Sequence, residues 1–416
     1  MTMEKTGQSY LFTGGRLLDP RRDALVDGTN VLIEGNLIKE VSDRPIKADH
    51  AIKIDLAGKT IMPGLIDAHI HILLAEVNVQ LLADMPLTLL SVKGARALAQ
   101  TIDRGYTTVR DTGGADYGMK AAVDSGVTVG PRLFIAGAAI SQTGGHADVR
   151  KRTEGDIFCQ CCSGGSFIKR IADGVPDVIK AVRDELRKGA DHIKIMVSGG
   201  VASQSDPLDS LQYRIDEIEA AVDEAERWGR YVCAHAYSPK AIERAVLSGV
   251  RTIEHGNLID AATARLVAEK GAYVVPTLVT YDSMTKRGAS HGLSAFSLSK
   301  NKRVFEAGLH ALELCRAAGV KLGFGTDLLG QLQGDQSNEF AIRAEVLSPQ
   351  EVLKSCLLTN AEILRMEGKL GELIPGAFAD CLIVDGDPFK DISLLGKHHR
   401  HILAIMKDGE FIRSRL

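Results

Sequence analysis

The sequence predicts an α/β fold, a parallel (β/α)8 TIM barrel with a small β-sandwich domain formed from both termini, and three observations predict it. Eight short β-rich apolar runs recur along the chain, most of them followed by segments with helical apolar spacing, and strand alternating with helix implies a parallel sheet. Metal-capable side chains stand at the ends of the first, fourth, fifth, sixth and eighth runs. A closed barrel brings these ends to one centre, which a doubly wound open sheet does not. Both ends of the chain show a different pattern, short β segments broken by Gly-Asn, Asp-Pro and Asp-Gly turn signals.

The predicted barrel strands run Gly64–His71, Tyr106–Asp111, Arg132–Ile140, His192–Ser198, Tyr231–His235, Arg251–His255, Tyr273–Thr277 and Lys321–Thr326. Helical periodicity is clearest over Ile215–Trp228, Pro239–Leu247 and Ala261–Lys270. The connection from Ser141 to about Val175 is long and Gly-rich, and it leaves the carboxyl end of a barrel strand, where barrel sites are built. Flanking segments Ser9–Leu18, Val31–Val41, Ala51–Leu56, Ala379–Val384 and His401–Ile412 are expected to pair into one small domain. The expected division is residues 1–60 plus 365–416 for that domain and 61–364 for the barrel.

Composition narrows the function classes. A chain of 416 residues, 45% hydrophobic and 25% charged, is long enough for a large barrel and a smaller domain. Its apolar stretches break before the ~18 residues that a membrane helix needs, and Met1–Tyr10 lacks the pattern of a secretion signal. A formal charge of -3 without a basic stripe gives no support for nucleic-acid binding. Seven cysteines, an odd number, fit a reducing compartment, so a cytoplasmic location is expected. Cys159, Cys161 and Cys162 lack a second ligand pair at zinc-finger spacing and read as unligated thiols.

His69-Ile70-His71 closes the first barrel strand, and residues at i and i+2 of a strand point the same way, so both imidazoles can grip one cation. Lys194, His235, His255 and Asp327 follow at later strand ends. Imidazole and carboxylate suit zinc and similar divalent ions. In this reading His69, His71 and Asp327 hold one metal, and His235 and His255 a second. Lys194 is the awkward member, because an ammonium has no lone pair and is repelled by two dications. Reaction with carbon dioxide would make it a carbamate, an anion with two oxygens able to bridge both metals.

These residues carry a resemblance. The runs Pro63-Gly64-Leu65-Ile66-Asp67-Ala68-His69-Ile70-His71, Ile193-Lys194-Ile195, Ala234-His235-Ala236, Ile253-Glu254-His255-Gly256 and Gly325-Thr326-Asp327, with Gly371–Asp380 near the C-terminus, are similar to the amidohydrolase superfamily in its binuclear form with a carboxylated lysine. The resemblance implies two divalent metal ions, zinc first among the candidates, that make hydroxide available between them near neutral pH and polarise the scissile carbonyl. It makes Asp327 the general base that carries the proton to the leaving nitrogen.

Gly144-Gly145-His146-Ala147-Asp148, Val197-Ser198-Gly199-Gly200-Val201 and His235-Ala236-Tyr237 resemble prolidase-like dipeptidases, which cut dipeptides or N-acyl amino acids and release a C-terminal amino acid such as proline. Such a substrate needs an anchor for its free carboxylate. His146 and Tyr237 are expected to bind that carboxylate or the polarised carbonyl, and Ser198, Gly199 and Gly200 to line the pocket with backbone groups. Arg150 and Arg152 are further candidates. Two other functions are weighed: a cyclic-amide hydrolase of imidazolonepropionase or dihydropyrimidinase type, and a non-catalytic barrel assembly protein. A deaminase fits less well, since the fifth strand end reads Cys233-Ala234-His235-Ala236-Tyr237 without a glutamate. The expected partner is a small-molecule substrate, with no nucleic acid and no membrane, and association into a homo-oligomer is expected of a barrel of this kind.

Overall fold

The computed structural model describes residues 8–82, 84–150, 168–203 and 206–416. Two compact units form, one from Met1–Asp67, Ala99–Val109 and Phe340–Leu416, the other from Ala68–Leu98 and Arg110–Glu339.

In the first unit, strands from both chain ends share one sheet. They are β1 (Tyr10–Asp19), β2 (Ala24–Glu34), β3 (Leu37–Ser42), β4 (Ile52–Asp55) and β5 (Thr60–Pro63), with β16 (Cys381–Val384), β17 (Ile402–Lys407) and β18 (Glu410–Ser414) from the C-terminal end. The order is β18-β17-β16-β5-β1-β2-β3, with β4 paired to β1. The predicted strand Val31–Val41 is therefore the second half of β2 and most of β3, split at Gly35-Asn36. His401–Ile412 is likewise a hairpin, turned at Asp408 (φ 51°) and Gly409 (φ 75°), the left-handed pair that a tight hairpin turn requires. Phe12, Val31, Ile33, Ile61, Ile383 and Met406 lead its apolar core.

The barrel strands are β6 (Leu65–Ile70), β7 (Tyr106–Asp111), β8 (Arg132–Ile135), β9 (Ala139–Ser141), β10 (Lys169–Ile171), β11 (Ile193–Met196), β12 (Val232–Ala236), β13 (Thr252–His255), β14 (Tyr273–Val275) and β15 (Lys321–Leu322). They form two arcs, β6-β7-β8 and β10-β9-β11-β12-β13-β14-β15, and not one continuous ring. The longer arc is parallel throughout. Two irregular places separate the arcs. The predicted third strand bends at Gly137 (φ 71°), where a Cβ would lie 2.3 Å from Glu185 Oε2, so its first half belongs to one arc and its second half to the other. The predicted eighth strand keeps regular pairing over only two residues. Beyond them the backbone is tied to the first strand by hydrogen bonds from Ala68 N to Phe324 O (2.8 Å) and from Asp327 N to His69 O (2.8 Å). The strand β10, inside the long connection, was not foreseen.

Burial explains both the strands and the helices around them. Every residue of β11, β12, β13 and β14 is buried, as expected of a parallel sheet covered on both faces. Helices Gly174–Arg187 and Ile215–Arg227 bury Val178, Ala181, Val182 and Leu186 at i, i+3, i+4, i+8, and Ile218, Ala221, Val222 and Ala225 at i, i+3, i+4, i+7, each the spacing of one helix face. Asp260 Oδ1 caps the helix Ala261–Glu269 through Thr263 N (2.8 Å), and Pro239 opens the helix Pro239–Leu247 at a position where its missing N–H costs nothing. These helix faces share one core with Ile193, Ile195, Val232, Ala234 and Ile253. Strand alternation then sends Lys194, His235 and Glu254 to the opposite, inner face. Among the described residues no helix is long and apolar enough to cross a membrane.

Candidate metal centre

His69, His71, Lys194, His235, His255 and Asp327 line a single cleft, together with His146 and Tyr237. His69, His255 and Asp327 each offer a ligand atom, all within 4.8 Å of one another. Asp327 Oδ1 lies 3.2 Å from His71 Nε2 and 3.4 Å from His69 Nε2. His235 stands beside this cluster, its ring 4.7 Å from that of His255.

Alternation alone would not put His255 there. It shares parity with Ile253, which faces the helix-side core. His255 has φ 73°, and this left-handed residue at the strand end turns the imidazole back into the cleft. Asp327 is also left-handed, with φ 50°. Non-glycine residues adopt this region at a cost and concentrate at functional sites.

Each histidine is aimed by its second nitrogen. His69 Nδ1 donates to Glu254 Oε2 at 2.6 Å and His71 Nδ1 donates to Gly113 O at 2.7 Å, so in both rings the Nε2 lone pair faces Asp327. His235 Nε2 donates to Gly199 O at 3.1 Å, which leaves its Nδ1 lone pair available. His255 Nδ1 is 2.8 Å from Thr277 Oγ1 and 3.0 Å from Tyr281 OH.

Behind His69 lies a buried relay absent from the sequence prediction. Arg110 is fully buried and donates to Glu254 Oε1 (2.7 Å), Ala68 O (2.5 Å) and Thr252 Oγ1 (3.1 Å). Burial alone would raise the Glu254 carboxyl, but Arg110 and His69 hold it well below the usual carboxylate range. The available signal was parity, since Glu254 sits on the inner face of its strand.

The donor set fits divalent cations. Burial holds His235 and His255 well below the ordinary imidazole value, against the pull of Asp327 at His255, so both present neutral lone pairs. Burial opposes ionisation of Asp327, yet its place among the imidazoles, His69 first, keeps it well below its ordinary value. Lys194 is 1% exposed and, among the described residues, makes no hydrogen bond or ion pair.

The predicted substrate contacts are placed unevenly. Tyr237 is buried with its OH 2.8 Å from Tyr281 OH, and burial pushes its phenol well above the ordinary range, so it stays a donor. Tyr281 was missed in the sequence, since a tyrosine four residues beyond a strand-end threonine carries no distinguishing pattern. His146 stacks on His235 at 4.3 Å. Ser198, Gly199 and Gly200 stand behind the wall, which is formed by Val201, Ala202 and Ser203. Ser198 Oγ accepts from Tyr237 N (3.1 Å) and donates to Gly199 O (2.9 Å). Arg150 forks onto Asp148, with Nε 2.6 Å from Oδ1, and does not line the cleft, whereas Lys169 does. Arg152, Cys159, Cys161 and Cys162 lie outside the described residues. Cys233, Cys315, Cys356 and Cys381 are buried free thiols.

Residues 60–412 match the Amidohydrolase family, and the chain belongs to it: a hydrolytic enzyme acting on carbon–nitrogen bonds. Within that family the resemblance is to its prolidase-like members. A crystal structure of a prolidase complexed with N-methylphosphonate-L-proline is 46% identical and superposes with a TM-score of 0.96, covering 98% of this chain and 100% of that one. A Xaa-Pro dipeptidase with bound methionine is 30% identical with a TM-score of 0.88, over 98% and 100% of the two chains. Ochratoxinase from Aspergillus niger is 29% identical over 369 residues, 85% of this chain and 76% of the relative.

Proposed function

We propose that this amidohydrolase cuts the amide bond of a dipeptide or N-acyl amino acid and releases the C-terminal amino acid. The observation that carries the reading is the convergence of four histidines, Asp327 and a buried lysine on one cleft, in a chain similar to a prolidase and a Xaa-Pro dipeptidase. His69, His71, His235, His255 and Asp327 would hold two divalent ions, zinc first among the candidates, with Lys194 as a carbamate. When bound, such ions supply an activated water and polarise the scissile carbonyl.

The chain's own residues do the rest. Asp327 takes the proton of the attacking water on a carboxylate oxygen and delivers it to the leaving nitrogen. This role needs a carboxylate that is ionised at rest, and its depressed pKa supports that. Tyr237 and His146, both facing the cleft, donate to the substrate carboxylate or to the carbonyl oxygen. Leu74, Val79, Met284 and Leu329 give the cleft an apolar wall for the substrate's other half.

The test is direct. Protein loaded with zinc in bicarbonate is incubated with Xaa-Pro, Xaa-Arg and N-acyl amino acid libraries, and released amino acids are quantified. Release of one residue class is expected. Two metals per chain with no amino acid released would overturn the reading and favour ring opening of a cyclic amide.

A further inference from the structure

Lys300 lies on the long helix Ala295–Ala318, which runs outside the cleft, and is 6% exposed. Its ammonium donates to Gly200 O at 2.5 Å, Ser203 O at 2.7 Å and Asp206 O at 3.1 Å, and lies 3.4 Å from Ser203 Oγ. Three carbonyls converging on one buried cation form a clamp, and each would otherwise be a desolvated acceptor. The clamped stretch is the one that carries the cleft wall Val201, Ala202 and Ser203.

From that stretch the contacts lead to His146. Asp206 Oδ2 accepts from Gly200 N at 3.0 Å and from Gln212 Nε2 at 3.1 Å, and lies 3.4 Å from His146 Nδ1. Gln212 Oε1 in turn accepts from His146 N at 2.8 Å. Gly200 lies directly under the imidazole, since a Cβ there would be 2.2 Å from His146 Cε1. Gly199 is pressed equally close to Pro207, where a Cβ would be 1.8 Å from the carbonyl oxygen. Gly199 and Gly200 are therefore closely packed, and what fixes Gly200 and Asp206 bears directly on the His146 ring. Asp206 supports the same picture: burial opposes its ionisation, but His146 and Lys300 hold it below its ordinary value.

We propose that Lys300 is a positioning residue for substrate binding: through the Gly200, Ser203 and Asp206 carbonyls it fixes the support on which Asp206 aims His146 into the cleft. Lys300 does not line the cleft and touches no reacting atom. The inference rests on the preceding reading in one respect, that His146 meets the substrate carboxylate. Loss of the clamp should then weaken binding of carboxylate-bearing substrates and leave the bond-breaking step largely intact.

The experiment compares wild type with Lys300→Met, Asp206→Asn and the double variant, each loaded with metal, on an amino-acid-releasing substrate and on its C-terminal amide. Expected are unchanged metal content, kcat within about threefold, and a KM raised roughly tenfold or more for the free acid alone. The double variant should be little worse than either single one, because both lie on one path. A KM equal to wild type, or a joint fall of metal content, kcat and Tm, would overturn the proposal; the second result would mark Lys300 as a general folding residue. If wild type itself releases no amino acid, the functional reading fails separately. The clamp is then judged by deuterium uptake over residues 199–203: faster exchange in Lys300→Met retains it, and equal protection rejects it.

Discussion

Substituting Gln for Glu254 tests how the centre is held, because it keeps the shape and removes one charge. Glu254 Oε1 accepts from Arg110 at 2.7 Å and from Thr252 Oγ1 at 2.5 Å, so the amide oxygen of the substituted side chain would stay on that side. Its NH2 would then face His69 Nδ1, where a carboxylate oxygen stood at 2.6 Å. Two donors cannot share that line, so His69 would have to move its proton to Nε2, the nitrogen that faces Asp327. An imidazole in that tautomer has no lone pair for a metal. Loss of such an outer partner weakens metal binding by roughly 10- to 100-fold. The variant also leaves the fully buried Arg110 without a counter-charge, which costs about 3–5 kcal/mol when a buried pair is broken. Metal retention after dialysis against a graded chelator series, with urea unfolding of the same samples, reads both effects. If Glu254→Gln kept wild-type metal retention, the claim that Glu254 sets the His69 tautomer would be wrong, whatever the change in stability.

Asp327→Asn should retain most of its metal while kcat falls by about a thousandfold, since an amide accepts no proton; metal analysis beside turnover checks it, and near-normal turnover removes Asp327 from the base role. Lys194→Met should bind fewer metal equivalents, and wild type prepared without carbon dioxide should copy that loss until bicarbonate is added back; metal content indifferent to bicarbonate would refute the carbamate. In Gly200→Ala the new methyl must displace the His146 ring from 2.2 Å, so KM for a free-acid substrate should rise roughly tenfold with kcat little changed. An unaltered KM would mean that His146 does not hold the substrate carboxylate.

The strand and helix runs of the barrel were legible because burial on both faces produces apolar runs of distinctive length, and helices facing such a sheet repeat their apolar residues at i, i+3, i+4 and i+7. Where the structure departs from that reading, close packing intervenes. The third strand breaks at Gly137 because Glu185 fills the space a side chain would need. The eighth loses its regular pairing where Gly325 packs on His69, a Cβ there lying 2.7 Å from the His69 Cβ. Neither approach has a local signature, since both depend on a residue far along the chain. The same holds for β10 and for the support under His146, which is assembled from Lys300, Gln212 and Asp206.

His255 shows why motif and periodicity had to be used together at the site. Periodicity alone, applied to Thr252-Ile253-Glu254-His255, assigns Thr252 and Glu254 to the inner face and leaves His255 among the helices with Ile253. Motif resemblance alone contains both residues but gives a role to His255 and none to Glu254. The structure uses both residues: Glu254 arrives by ordinary alternation and aims His69, and His255 arrives because its backbone leaves the strand at φ 73°. A histidine held in the left-handed region is not favoured by local sterics, so the surroundings must enforce it. Thr277 Oγ1 and Tyr281 OH, 2.8 Å and 3.0 Å from His255 Nδ1, are the groups placed to do so. The strain at this strand end and the hydroxyls that hold it therefore belong to one arrangement, which turns a residue of outward parity toward the centre.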